Sequence, residues 1–359
     1  MATINMIGKL RKLKENGYDE QEFSGGLIRK RVRFQMICGD NVHWLEATAL
    51  VWKDEKKNKI YTVKSVENGK DEKTEVQWNN RFDENVVNSV AGYKKWVIDT
   101  DTFAHRKELE EGGLDEELEK SRKKRKEFLH ASDFVDYLVK VLDNEKSKDM
   151  VFRVTGSIDF TYSESKGQYY RTLTPQKISR VPDDTKQICE ASMKVYFTEN
   201  AVDETMTDNT GDIMFNGYIQ SYFANIKGNA FVPMSFTINK DEEMADGFKM
   251  IFEDVEDDKV MEVGVVVNMI NGSQQVSITE DMLTDKQRKM IAMKMTTFDK
   301  IKKELGDTVR GDRVTKTELK ELMRGYSGGA VDTEYEVSDL VRKPVKQEEN
   351  VVPFGDDEI

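Results

Sequence analysis

The chain has 359 residues, 38% of them hydrophobic, enough to build two or three domains. Its longest apolar stretch, Val260 to Ile270, contains Glu262 and Asn268 and falls short of the roughly 20 residues that cross a bilayer. Met1 to Tyr18 lacks a signal-peptide core, so a soluble intracellular protein is expected. The net charge of −12 argues against a simple basic protein that coats DNA, yet the charge is unevenly spread. Gly328 to Ile359 carries nine acids against three bases and so holds half of the net charge, whereas Arg29 to Arg33 and Lys120 to Lys126 are locally basic.

In chain order, residues 1–26 read as a basic N-terminal segment, with a short helix over Ile7 to Asn16. A first β-rich unit follows over 27–104. Val32, Phe34, Met36 and Cys38 alternate with Arg31, Arg33 and Gln35, and Leu45, Ala47, Ala49 and Val51 alternate with Trp44, Glu46, Thr48 and Trp52. Successive side chains of a strand point to opposite faces, so each set defines an apolar side and an outer side. Gly39-Asp40-Asn41 between them is a hairpin signal. Lys59 to Val66 and Tyr93 to Ile98 read as further strands.

Residues 105–149 read as a helical connector. His105 to Lys126 is a charged helix broken at Gly112-Gly113, with acids first and bases last, as the helix dipole prefers. Ser132 to Leu142 is amphipathic, with Phe134, Leu138, Val141 and Leu142 on one stripe, and suits the end of a barrel.

A second β-rich unit with a C-terminal helix is expected over 150–306. The apolar sets are Phe152, Val154, Ile158 and Phe160; Ala191, Met193, Val195 and Phe197; Ile213, Phe215, Ile219 and Phe223; and Val232, Met234, Phe236 and Ile238. The opposite face then carries Arg153, Lys194, Tyr196, Tyr218, Tyr222 and Phe231, a mixture of rings and cations suited to stacked bases with phosphates beside them. Glu199 to Asp212 reads as a mobile acidic loop, and Phe248 to Phe252 and Val260 to Ile270 as further strands. Thr284 to Leu305 and Thr315 to Arg324 read as helices. From 307 to 359 a short helix precedes a disordered acidic tail. Many short strands with Gly-rich turns make the chain mainly β with accessory helices, built as barrels or sandwiches.

The run from Phe152 to Ile158, the run from Tyr170 to Ile178 and Phe215-Asn-Gly217-Tyr218-Ile219 together resemble OB-fold single-stranded DNA-binding proteins encoded by bacteriophages. The resemblance spans about Met150 to Asn239. It implies two OB-like barrel units and non-sequence-specific binding of single-stranded DNA in replication or recombination, in the cytoplasm of a bacterial host. The end of the chain, with Phe354, Asp356, Asp357, Glu358 and Ile359, is similar to the acidic tip of bacterial single-strand-binding proteins, although Pro353-Phe354 precedes the acids. That implies a peptide docked by replication or recombination proteins.

The residues expected at nucleic acid are Arg31, Arg33, Trp44, Trp52, Trp78 and Arg81 in the first unit. In the second they are Arg153, Tyr170, Arg171, Lys177, Lys194, Tyr196, Tyr218, Tyr222 and Phe231. No enzyme, metal or cofactor is expected. His43, His105 and His130 lie far apart, Cys38 and Cys189 read as buried free thiols, and there is no phosphate-binding glycine loop. The alternative is a virion component or an acidic inhibitor of a host DNA enzyme, which the negative charge favours. A nuclease or repair enzyme is a weaker third reading.

Overall fold

The computed structural model describes residues 2–13, 17–64, 71–256, 258–277, 283–298, 300–301 and 308–345, with the backbone alone for 273–277 and 308–313. The elements in chain order are β1 (Thr3–Lys12), β2 (Tyr18–Glu22), β3 (Leu27–Cys38) and β4 (Asn41–Trp52), then β5 (Lys59–Lys64), β6 (Glu72–Gln77), α1 (Glu84–Ser89) and β7 (Trp96–Asp99). After them come α2 (Phe103–Glu111), α3 (Asp115–Arg122), β8 (Arg125–Phe128), α4 (Ala131–Asp143), β9 (Val151–Ser163) and β10 (Gln168–Arg180). The chain continues with β11 (Ile188–Phe197), β12 (Val202–Asp203), α5 (Thr207–Thr210), β13 (Asp212–Phe223), β14 (Gly228–Asn239), α6 (Ala245–Glu253) and β15 (Met261–Ser277). Last are α7 (Asp285–Ala292), β16 (Thr308–Leu322), β17 (Val331–Asp332) and α8 (Val337–Val341).

Ten of these strands close into two rings of five. In the first ring β1 pairs with β3, β3 with β4, β4 with β10, β10 with β9, and β9 with β1. In the second, β11 pairs with β13, β13 with β14, β14 with β16, β16 with β15, and β15 with β11. Each ring closes through one parallel contact between its third and fifth strands, at Leu45–Leu173 and at Thr237–Glu318. Each also places a helix between its third and fourth strands. The alternating apolar residues fill the rings: Phe34, Met36, Leu45 and Phe152 in the first, Phe197, Phe215 and Phe236 in the second, all fully buried. Helix α4 packs against β1, β3 and β4 and buries Phe134 and Leu138. In the second ring Phe252 of α6 brings its ring centroid to 4.4 Å from Phe197 and 5.0 Å from Phe215.

The rings are joined by strand pairing. One edge of β1 bonds β11 from Thr3 to Ile7 and then switches to β3 from Lys9 to Lys12, while its other edge follows β9 from Thr3 to Lys9. A second seam pairs Gly272 of β15 with Asn41 of β4. There Asn271 donates from its backbone to Asn41 Oδ1 at 3.0 Å and from Nδ2 to the Val42 carbonyl at 2.8 Å, and buried His43 Nε2 donates to the Met269 carbonyl at 3.1 Å. Buried Cys38 and Cys189 are free thiols. A hydrogen bond with Cys38, together with burial, pushes the Cys189 thiol far above the usual range, which suits an inert core group.

Several expectations change. Ile7 to Lys12 belongs to a strand, not a helix, because Ile4, Met6 and Leu10 alternate inward with Gly8 among them. Thr315 to Leu322 is also strand, since the β15 ladder overrides a helix-favouring composition. Phe248 to Phe252 is helical, with Ala245, Phe248 and Phe252 on one buried stripe. Lys120 to Lys126 divides between α3 and β8, and Glu199 to Asp212 holds β12 and α5. Beyond Gly325, β17 and α8 give structure to a segment expected to be disordered. The pairing also runs across the 105–149 segment: β9 and β10 close the ring begun by β1, β3 and β4. Residues 53–130 are an insert within that ring, with β5, β6 and a small core of Ile60, Val76, Trp78, Val90 and Leu129.

Gly8 sits at the switch point of β1. A Cβ there would lie 2.0 Å from the Ile37 carbonyl oxygen, so the backbones must part to admit one. Gly8→Ala is expected to cost about 2–3 kcal/mol in urea unfolding; an unchanged midpoint and slope would contradict this close approach.

Candidate nucleic-acid interface

The period of two along β3 puts Arg29, Arg31, Arg33 and Gln35 on its outer side. The ladder sets them opposite Leu50, Thr48, Glu46 and Trp44 of β4, and Leu27 opposite Trp52. Trp44 is 51% exposed and Leu50 54%, so this outer face lies open. Trp52 is half-buried with the Lys57 ammonium 5.3 Å from its ring centroid. At about 3.3 Å per residue, Trp44 and Trp52 stand about 26 Å apart along one strand. The result is a row of guanidinium groups beside a row of apolar and indole surfaces.

The row is partly neutralised by β2, which pairs with the other edge of β3. Asp19 lies opposite Arg31, accepts its Nε–H at 2.7 Å and receives Arg29 Nη2 at 3.5 Å. The hydrogen bond from Arg31 holds the Asp19 carboxyl below its usual range. Arg33 has no ion pair among the described residues, and its Nε is buried without a partner. Glu46, opposite Arg33, is the acid on the β4 side. Arg29 belongs to this face by the same alternation that selects Arg31 and Arg33. Leu50 and Asp19 carry no separate sequence signal; the ladders place them.

The β9–β10 ladder carries four more of the expected residues at its two ends, with the neighbours Tyr170 and Arg171 on opposite faces of β10. Arg153 is exposed opposite Ser179, and Lys177 is half-buried opposite Thr155. Tyr170 is 43% exposed with Lys166 5.9 Å from its ring centroid, and Arg171 beside it is exposed.

The corresponding face of the second ring is covered, contrary to the expected open tyrosine surface. Tyr196 and Phe231 are each 5% exposed and pack with Val260, Leu340, Tyr218 and Tyr335. Tyr335 stands edge-on to both rings, at 5.6 Å from Tyr196 and 5.0 Å from Phe231. Gln220 Nε2 donates to Tyr335 Oη at 2.9 Å, and Asn225 Nδ2 donates to the Pro344 carbonyl at 2.7 Å. Residues 331–345 therefore form a strap over β11, β13 and β14. Alternation identifies the outer face of a strand but says nothing about what lies on it. Tyr222 remains 55% exposed beyond the strap. Lys194 is tied to Glu262 at 2.8 Å, and Tyr326 donates to the same carboxylate.

Trp78 and Arg81 serve the insert. Trp78 is buried in the small core, and the Arg81 guanidinium stacks 3.8 Å from its ring centroid while pairing with Asp133 of α4 at 2.9 Å. Neither presents an open platform. Of the basic run, Arg122 pairs with Glu119, Lys124 with Asp101, and Arg125 with Glu127. Phe354, Asp356, Asp357, Glu358 and Ile359 lie outside the described residues.

Two buried carboxylates of the insert, Asp99 and Asp101, anchor a charged cluster. Asp99 takes both Arg106 Nη groups, at 2.7 and 2.5 Å. Asp101 accepts from Lys124 at 2.9 Å, Ser121 at 2.8 Å and His105 Nδ1 at 3.0 Å. Burial alone would raise the Asp101 pKa, but these bonds and one from the Thr102 backbone hold it well below the usual carboxylate range. The carboxylates are occupied in fastening α2 and α3 to β7, which gives no pair poised for proton transfer. Among the described residues no group of three or more metal-ligating side chains converges, and no described helix is long and apolar enough to cross a membrane.

No family model and no curated protein matches the sequence. Among solved structures, the chain is similar to the wild-type single-stranded DNA binding protein from Thermus aquaticus and to a deletion mutant of that protein. Both are 10% identical with a TM-score of 0.34, and the match covers 90% of this chain and 92% and 94% of theirs. A likeness of that size carries no argument about this molecule.

Asp101→Asn should destabilise the insert by about 3 kcal/mol, the usual cost of breaking a buried ion pair. Because the folded-state pKa is lowered, the difference from wild type should be full above the ordinary carboxylate value of 3.8 and shrink as pH falls below it. Thermal unfolding of both proteins from pH 7 to pH 3 checks this; a gap that widens in acid would contradict the assignment.

Proposed function

We propose that this chain is a non-enzymatic single-stranded DNA-binding protein built from two OB-like units, residues 3–180 and 188–322. The OB plan is a five-stranded barrel that binds oligonucleotides across its second and third strands. In the first ring those strands are β3 and β4. The observation that carries the reading is the outer face of that pair, where arginines at every second position flank exposed Trp44 and Leu50 and half-buried Trp52.

A single strand laid along this face stacks bases on Trp44 and Trp52 and places phosphates against Arg29, Arg31 and Arg33. Each stacked base contributes about 1–3 kcal/mol. Such a face reads the backbone and the flat surfaces common to all bases, so it binds without sequence preference. The chain's net charge of −12 opposes approach at long range, and the local guanidinium row offsets it at contact. Arg153, Tyr170, Arg171 and Lys177 are proposed to extend the path onto β9 and β10. A role in replication or recombination and a bacteriophage origin rest on the sequence resemblance. So does recruitment of protein partners by the acidic tip.

Quenching of tryptophan fluorescence by oligo-dT tests the reading. Wild type should bind in low salt and weaken as salt rises. Trp44→Ala should lose about tenfold in affinity, equivalent to one stacked base. Arg33→Glu should weaken binding and reduce the log–log salt slope by about 0.7, one phosphate contact on a single strand. Absence of binding in low salt, or variants that match wild type, would refute it.

Asp19→Asn offers a check of opposite sign. Removing the carboxylate that occupies Arg31 and Arg29 should tighten oligo-dT binding severalfold. Weaker binding by a folded Asp19→Asn protein would place the strand elsewhere.

A further inference from the structure

The strap that buries Tyr196 and Phe231 also builds a groove. Between α8 and the turn joining β13 to β14 lies a depression of about 960 Å³, with Phe231 and Tyr335 among its lining residues. Lys227 enters it from the turn, and Arg342 and Lys343 from the strap. Among the described residues none of these three cations has a carboxylate partner, in a chain where many lysines and arginines do. The one acid in the lining is Asp339, whose carboxylate accepts the Glu336 backbone N–H at 3.1 Å. The bond from Asn225 to the Pro344 carbonyl fastens the strap to the turn, so cations from two distant parts of the chain are held together.

Alongside stands Tyr222, exposed and opposite Asn229, which also lines the groove. Unpaired cations with an exposed ring beside them satisfy the two needs of a single strand, phosphate neutralisation and a surface for a base.

We propose that this groove is a second anchoring site for single-stranded DNA, holding phosphates on Lys227, Arg342 and Lys343 and a base on Tyr222. The inference rests on the reading of the first ring as a single-strand binder and adds where a longer strand continues. The strap thus covers the aromatic face of the second ring and brings Arg342 and Lys343 to the same groove as Lys227.

The test compares the full chain with a Lys227→Gln, Arg342→Gln, Lys343→Gln triple variant, Tyr222→Ala and Trp44→Ala. Each is titrated with oligo-dT of about 8 nucleotides, within the span of one barrel, and of about 30 nucleotides. The triple variant should lose at least tenfold in affinity for the long strand, and its log–log salt slope should fall by about 2, three contacts at about 0.7 each. Its affinity for the short strand should stay within twofold of wild type, which also shows that the first ring is intact. Tyr222→Ala should weaken only the long strand. Lys227→Gln alone, outside the strap, gives the same direction of effect should the triple variant fail to fold. Long-strand affinity and salt slope unchanged in these variants overturn the groove while leaving the first ring's role standing. A loss in the triple variant with none in Trp44→Ala retains the groove and removes the first-ring reading. Binding of neither length by wild type overturns both.

Discussion

The molecule depends on how β1 divides its hydrogen bonds. From Thr3 to Ile7 one edge belongs to the second ring through β11, and from Lys9 to Lys12 the same edge belongs to the first ring through β3. The changeover requires backbones to pass closely at Gly8, where no side chain fits. Because the first strand serves both rings, they are neighbours in one continuous sheet rather than beads on a linker. The seam between β4 and β15, with Asn271 bonded to Asn41 and Val42, fixes the second point of contact. Two seams of strand pairing hold the outer surfaces of the two rings in a set relation.

The rings share a plan and differ in what their outer faces carry. Both close through a parallel contact between third and fifth strands, and both place a helix after the third. On the second and third strands of the first ring, arginines and indoles face outward and remain accessible. On those of the second, Tyr218 and Phe231 join Tyr196 of β11 in a small apolar cluster, sealed by Tyr335 and Leu340. Edge-on aromatic contacts and removal of ring surface from water both favour that closure. An exposed aromatic surface is therefore a feature of the first ring, with Tyr222 the residue of the second ring's tyrosine set left well exposed.

Much of the local structure was legible in the residues. The alternation of Val32, Phe34, Met36 and Cys38 against Arg31, Arg33 and Gln35 marked both the strand and its inner face. The stripe of Phe134, Leu138, Val141 and Leu142 marked α4. What could not be read was long-range pairing. Ile7 and Leu10 stand three apart, a helical spacing that hides the alternation of Ile4, Met6 and Leu10, and the grouping of strands into rings depends on that strand. The Met150 to Asn239 resemblance consequently straddles both rings, with Phe152 in one and Phe215 in the other. The tyrosines of the second ring were placed on the correct outer side, but their cover comes from Tyr335, more than a hundred residues later and in a stretch too acidic to suggest a core. Trp78 and Arg81 looked like surface chemistry because a small satellite core leaves little periodic trace.

The central claim is that a single strand lies across the outer face of β3 and β4 and avoids the strapped cluster. Photo-crosslinking with an oligonucleotide containing 5-iododeoxyuridine, followed by peptide mass spectrometry, tests it most directly. Adducts on the peptides bearing Trp44 or Trp52, with none on Tyr196 or Phe231, are the predicted result. Adducts concentrated on Tyr196 or Phe231, or no adduct in low salt, would contradict it.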